Sequence, residues 1–228
     1  MSKRSDIEKG TLVYTEVLGW VDLAHAKGDD ARALMAAINS GEERIEDHFV
    51  VIYSQYMGKG FKYGTSKTTR WKIRKGLSSH DKKRVALTII MYTSHIFESY
   101  QGSPLFSWYS DSGYSGEDLV SNLLGFYRAV DNIDYLLQLR VASQADTFTR
   151  WDYYGPIGQY KNKEFRPLLF PHPEKYQNNA RPYYSVLPEF MKSVSPINNI
   201  EKSDMLTHLN DKTGYNIGVE SRVTIQIE

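Results

Sequence analysis

Asp22 and His25 stand three residues apart in Gly19-Trp-Val-Asp-Leu-Ala-His25. A carboxylate at that spacing on a helical turn can orient an imidazole and raise its basicity, and either group can ligate a metal. The same pair also reads as an Asp that caps backbone amides at a helix start, with a His packed beside it. Glu98 is the second candidate. Leu87, Met91, Ser94, Glu98 and Gln101 follow at spacings of four, three, four and three, one helical stripe that begins apolar and ends polar. Tyr92, Ile96, Phe97 and Tyr100 surround Glu98 in sequence. A carboxyl group buried in such company has a raised pKa, as a general acid requires. His95 lies three residues before Glu98 and within pairing reach, but H-x-x-E is not the H-E-x-x-H of zinc hydrolases. A stripe of this kind either lines a cleft or carries a helix end into water.

The third candidate is Ser115-Gly-Glu-Asp-Leu-Val-Ser-Asn-Leu-Leu-Gly125. Ser115 with Asp118 three residues on resembles a capping box, and Glu117 and Asp118 suit the positive end of a helix dipole. Neither effect accounts for Ser121-Asn122, which interrupt an apolar run. A buried Asn needs a hydrogen-bond partner, and Asp22, His25 or Glu98 on a neighbouring element could supply it. Gly125 permits close approach of another segment to the helix. Ser115 lacks the second glycine of the G-x-S-x-G nucleophile elbow. Fourth, Lys59 to Arg84 carries ten Lys or Arg against one Asp, with Tyr63 and Trp71 interleaved. Such a stretch suits an anionic partner, or forms the solvated face of a sheet edge on which Lys discourages aggregation.

These groups need elements to hold them. Thr11–Thr15 is β-like, and Ala31, Leu34, Met35 and Ile38 make an amphipathic helix capped by Asp29 or Asp30. His48–Tyr56 reads as a buried strand and 57–60 as a turn. Thr69–Arg74 alternates, with Trp71 and Ile73 on one face and Arg70, Lys72 and Arg74 on the other. A long helix runs from Ser78 or Ser79 to Gln101 with Val85, Ile89, Tyr92 and Ile96 inward, and a second from Ser115 to Val130 with Leu119, Leu123, Phe126 and Val130 inward. Asp131 or Asn132 caps a third, with Ile133, Leu136 and Leu137 inward. Residues 151–198 hold all but one of the eight prolines, which argues against long helices there, while their aromatics argue for order. A short helix at 203–209 and a strand at 222–227 close the chain. The expected fold is α+β: two or three core helices on a small antiparallel sheet, with an ordered Pro- and aromatic-rich segment wrapped around them. The expected organisation is one domain over 1–228, with a core at 10–145 and a wrapping segment with the final strand at 146–228.

Composition narrows the chemistry. Among the 228 residues there is no cysteine, which excludes cysteine nucleophiles, thiolate metal sites and disulfides within the chain. A net charge of +1 gives no global case for nucleic acid or membrane surfaces. No apolar run reaches the roughly 18 residues that span a bilayer. The first residues show no apolar signal segment, so the expectation is synthesis in the cytoplasm, with any action elsewhere needing a dedicated secretion machine. The 17 tyrosines suit half-wet surfaces such as a glycan or peptide groove, and equally suit packing in irregular segments.

Taken together, Gly19–His25, Phe97-Glu-Ser-Tyr-Gln101 and Gly113–Tyr127 resemble an uncharacterised bacterial domain-of-unknown-function family. Its pattern is Gly-aromatic-Ile/Val-Asp-Leu-x-His, then a Glu-bearing helix, then Ser-x-Glu-Asp-Leu-x-Ser-Asn-Leu-Leu-Gly, and the resemblance covers about residues 10–130. Some members carry envelope-export signals, and signal-less members look like type VI secretion cargo. The resemblance implies a shared constellation of Asp22, His25, Glu98, Glu117, Asp118 and Asn122. This chain has Phe97 where some members place His before the Glu, which weighs against a family-wide metal site. The expectation is an antibacterial effector delivered to a target cell's periplasm, acting there as an envelope hydrolase on peptidoglycan. Glu98 would be general acid or base, Asp22 and His25 would orient water or bind one divalent ion together with Glu98, and Ser94, His95, Gln101, Glu117, Asp118 and Asn122 would support the site or hold substrate. Either no cofactor or one divalent metal ion is expected, with an immunity protein and a secretion-apparatus component as partners. The alternatives are a non-catalytic protein- or glycan-binding module and, third, a nuclease or lipid-active enzyme using residues 59–84.

Overall fold

The computed structural model describes residues 2–59, 63–101, 117–178, 180–216 and 223–227; the side chains at 56–59, 63–65, 98–101, 215–216 and 223–226 lie outside that description. In chain order the elements are α1 (Arg4–Glu8), β1 (Leu12–Thr15), β2 (Gly19–Asp22), α2 (Asp29–Gly41), β3 (His48–Lys59), β4 (Tyr63–Arg74), α3 (Ser79–Gln101), α4 (Asp118–Asp131), α5 (Gln144–Tyr154), β5 (Leu168–Leu169), β6 (Tyr183–Tyr184), β7 (Leu206–Asn216) and β8 (Val223–Ile227). Short 3-10 turns fall at His25–Lys27, Tyr135–Leu139, Ile157–Gln159 and Glu189–Lys192. The fold is α+β, with its strands in two four-stranded sheets. The chain divides into two compact units: unit 1 is Met1–Gly28 with Glu98–Ser193, and unit 2 is Asp29–Phe97 with Val194–Glu228. Residues 10–145 and 146–228 therefore each contribute to both units.

Unit 2 is built on a long hairpin. β3 and β4 pair antiparallel over their full lengths, β8 adds to β3 and β7 to β4, giving the order β7-β4-β3-β8. The period-two alternation sorts the faces as the sequence implies. Phe49, Val51 and Tyr53 from β3 and Thr69, Trp71 and Ile73 from β4 are buried, whereas His48, Lys72 and Arg74 are exposed. Trp71 thus belongs to the core and is not an aromatic interleaved on a basic surface. Leu34 and Ile38 of α2 and Val85, Ala86, Ile89 and Ile90 of α3 are buried in the same unit. Toward its C-terminal half α3 turns polar, and the sheet answers in kind. Thr93 Oγ1 lies 2.9 Å from Thr69 Oγ1, Trp71 Nε1 donates to Thr69 at 2.9 Å, and Gln55 donates to Ser94 Oγ at 3.3 Å. Tyr53 donates to Asp30 at 2.8 Å, and burial holds its phenol well above the usual range.

The short helix expected at 203–209 is instead the start of β7. Leu206 and His208 pair with Ile73 and Trp71, and a bulge at Arg70/Trp71 absorbs one extra residue. A short segment with few apolar residues fits either periodicity locally, and an open strand edge on β4 decides for the strand.

Unit 1 has less regular structure. Its sheet, β1-β2-β5-β6, consists of strands of two to four residues. Trp20 stands at the centre of an aromatic core, edge-on to Tyr14, Trp151 and Phe170 at centroid distances of 5.4, 5.9 and 6.3 Å. Residues 155–178 and 180–193 run over this core in short turns and two-residue strands, so among the described residues the proline-rich segment has defined structure without long helices. The third helix expected near 131 is only the 3-10 turn Tyr135–Leu139, capped by Asp134. Its buried residues are Tyr135 and Leu139, while Ile133 and Leu137 are exposed, the reverse of the expected facing. Asn132 takes a left-handed conformation that ends α4 and shifts the phase of everything after it.

Candidate functional site

The two motifs that bracket the chain's first 130 residues meet in unit 1. β2 carries Asp22 at its end, paired across from Leu12, and a tight turn brings up His25. Asp22 is therefore the last residue of a strand and not part of a helical turn with His25. Its Oδ1 accepts from the Ala24 amide at 2.7 Å, which closes the turn. The His25 ring finds its hydrogen bond elsewhere: Nδ1 lies 3.1 Å from Asn122 Oδ1, across 97 residues of sequence. With the Asn122 oxygen as acceptor Nδ1 is the donor, and in the neutral ring the lone pair then falls on Nε2. His25 is exposed, so that lone pair stands at the protein surface.

α4 provides the mount. Ser121, fully buried, accepts from the Asp22 amide at 3.0 Å. One turn on, Gly125 lets the 25–28 backbone lie directly on the helix: a Cβ there would stand 2.7 Å from the His25 carbonyl oxygen. Gly28 meets Gly125 from the other side, at a φ of +72° that favours glycine, and a Cβ on it would overlap the Gly125 carbonyl. A further turn along, Arg128 Nη1 donates to the Ala26 carbonyl at 2.8 Å. Ser121, Gly125 and Arg128 are spaced i, i+4, i+7, one helix face, with Asn122 beside it.

Glu117 sits just before α4 and is buried, with Ser2 donating to its Oε1 at 2.5 Å. Asp118 opens the helix in a half-buried position. Ser115, the residue read as a possible cap, lies outside the described residues. Ser94 and His95 belong to unit 2, where Ser94 is buried against Gln55 and His95 is exposed. Glu98 and Gln101 are in α3 as expected, and their side chains lie outside the described residues. Among the described residues no group of three or more His, Asp or Glu could hold a metal ion, and no helix is long and apolar enough to cross a membrane.

Of the sequence candidates, then, the structure joins His25 with Asn122 directly and Asp22 with their helix through Ser121. Arg128 is the participant that residue-type reasoning passes over. Its signal was available as the continuation of the Ser121-Gly125 spacing by one more turn, but a lone Arg near a helix C-terminus also reads as a dipole partner. No family model matches the chain, and no curated protein or solved structure was found to be similar to it.

Proposed function

We propose that the protein is a hydrolase of the bacterial cell envelope, an antibacterial effector acting on peptidoglycan, with His25 as its general base. The observation that carries this reading is the His25–Asn122 hydrogen bond. It favours the neutral tautomer with the proton on Nδ1, which keeps Nε2 available as a proton acceptor. In the proposed reaction Nε2 takes a proton from an attacking water, and Asn122 holds the ring as it becomes imidazolium. Asp22 shapes the turn through Ala24, and Glu98 is assigned the role of the acid that protonates the leaving group. The exposure of His25 suits a polymer that brings its own bulk to the site better than a small molecule that needs enclosure. Support for the envelope as the place of action comes from the motif resemblance alone.

The test is expression of the protein in a bacterial host, in the cytosol and directed to the periplasm, as wild type, His25→Gln and Glu98→Gln. Killing confined to the periplasm and removed by His25→Gln, with release of soluble fragments from purified sacculi, is the expected result. Killing that is indifferent to both substitutions would overturn the assignment.

A second reading, a non-catalytic binding module for protein or glycan, draws on one observation. Tyr153, Tyr176, Tyr183 and Tyr184 of unit 1 are 41–56% exposed, with Arg166 over the Tyr184 ring at 5.3 Å. Amphipathic rings left in water suit stacking on sugars or peptides. In that case Tyr184→Ala would weaken retention on sacculi while His25→Gln would leave it unchanged.

A further inference from the structure

Arg128 does something that neither helix packing nor helix-dipole complementarity requires. Its guanidinium is directed to the carbonyl of Ala26, the residue after His25, at 2.8 Å, and its other nitrogen reaches Asp134 Oδ1 at 3.2 Å. The segment from Asp22 to Gly28 is held on α4 at four successive heights. The Asp22 amide is fixed by Ser121, the His25 ring by Asn122, the 25–28 backbone by contact with Gly125, and the Ala26 carbonyl by Arg128. A 3-10 turn of three residues has little cohesion of its own. Without an anchor on its far side it can rock about the Ser121 end, and that motion carries the His25 ring relative to Asn122. The Asn122 bond lies on an exposed surface, where water competes for both partners.

We propose that Arg128 is a positioning residue for His25: by gripping the Ala26 carbonyl it sets the height and tilt of the turn, and so keeps Nδ1 on Asn122 and Nε2 facing out. Asp134 in turn orients the guanidinium. It also accepts from the Leu136 amide as the cap of the following turn, so Arg128 ties the His25 turn to the segment that leaves α4. Arginine suits this better than lysine, because its planar fork serves the carbonyl and the carboxylate at once in one fixed geometry. The proposal rests on the reading of His25 as the working base, and it can fail separately from that reading.

Nitrogen-detected NMR of the histidine rings separates the two, because it needs no substrate. In the wild type the His25 ring is expected as one neutral tautomer with the proton on Nδ1. Arg128→Met should return His25 to the tautomer mixture of a free imidazole, where the proton on Nε2 predominates. Arg128→Lys should restore the Nδ1 form only in part. Asp134→Asn, which leaves the carbonyl contact in place, should shift the balance less than Arg128→Met. Thermal melting followed by circular dichroism reports folding alongside. A Met variant that is folded and keeps the wild-type His25 tautomer would overturn the proposal, even if its melting temperature fell, since that combination describes a merely structural arginine. If instead the tautomer responds as expected while His25→Gln leaves sacculus digestion intact, the positioning role stands and the hydrolase reading falls.

Discussion

The two units satisfy the same physical requirement in different ways. In unit 2 the backbone is paired with itself, since β3 and β4 form a continuous ladder and α3 is helical throughout Ser79–Phe97. In unit 1 the strands are too short for that, and side chains take over the pairing. Arg150, 3% exposed, donates to the Phe170 carbonyl at 2.9 Å and to Glu16 at 2.6 Å, with its guanidinium over the Tyr14 ring at 4.1 Å. Tyr14 accepts from the Phe170 amide, Tyr154 donates to the Pro171 carbonyl and Asn162 to the Arg166 carbonyl. Buried backbone groups must be paired somewhere, so a segment rich in proline can be ordered only where side chains supply the partners. Stability in unit 2 should therefore lie in apolar volume, and in unit 1 in a few polar side chains.

The largest effect should come from Trp71→Ala in unit 2. It removes a fully buried indole packed edge-on to Tyr92 at 5.1 Å and leaves Thr69 without that donor. A loss of about 3–5 kcal/mol in denaturant unfolding is expected. Arg150→Met in unit 1 keeps most of the volume and removes the hydrogen bonds, the Glu16 ion pair and the charge over the Tyr14 ring. The expected cost is about 2–3 kcal/mol, since the Phe170 carbonyl loses its charged donor. A cost under about 0.5 kcal/mol, the level of an ordinary surface change, would break the comparison.

The smallest effect sharpens it through pH. The hydrogen bond from Arg4 holds the Asp152 carboxyl below its ordinary value of 3.8, and the bond from Ser143 does the same for Asp146, both on α5. A carboxyl group depressed in the folded state contributes stability that is complete above its unfolded value and disappears as pH falls through the folded one. Melting temperature should thus hold steady down to about pH 4 and decline below it. Asp152→Asn should make that decline shallower, because one of the depressed groups no longer titrates. Both carboxylates are exposed, so the change is a modest slope and not a collapse. An unchanged slope would show that the α1–α5 ion pair carries no linkage.

The contrast also explains what was legible in the sequence. α3 was readable because an apolar stripe runs through most of it, and the first half of β3 because Phe49–Tyr53 is an apolar run; 57–59, read as part of a turn, instead continue β3 in register with β4, which local turn residues could not reveal. α5 was not, although Thr147, Arg150, Trp151 and Tyr154 are its buried residues and follow the i, i+3, i+4, i+7 pattern. Two of the four are polar, so a hydrophobicity reading does not register them. β2 was hidden because four residues of strand look like the approach to a helix. At the candidate site the sequence required a partner for Asn122 and offered three.

The sequence by itself determined the α+β class, the two faces of Thr69–Arg74, and the list of polar residues that have no place in an apolar run. Periodicity is a local property, and local chemistry is enough to write it. Only the tertiary structure decided that, of the partners the sequence offered, His25 stands at hydrogen-bond distance from Asn122, and that Gly28 and Gly125 must both be glycine for the turn to lie on α4. A hydrogen bond joins two particular groups, and when they lie 97 residues apart nothing along the chain says which two will meet.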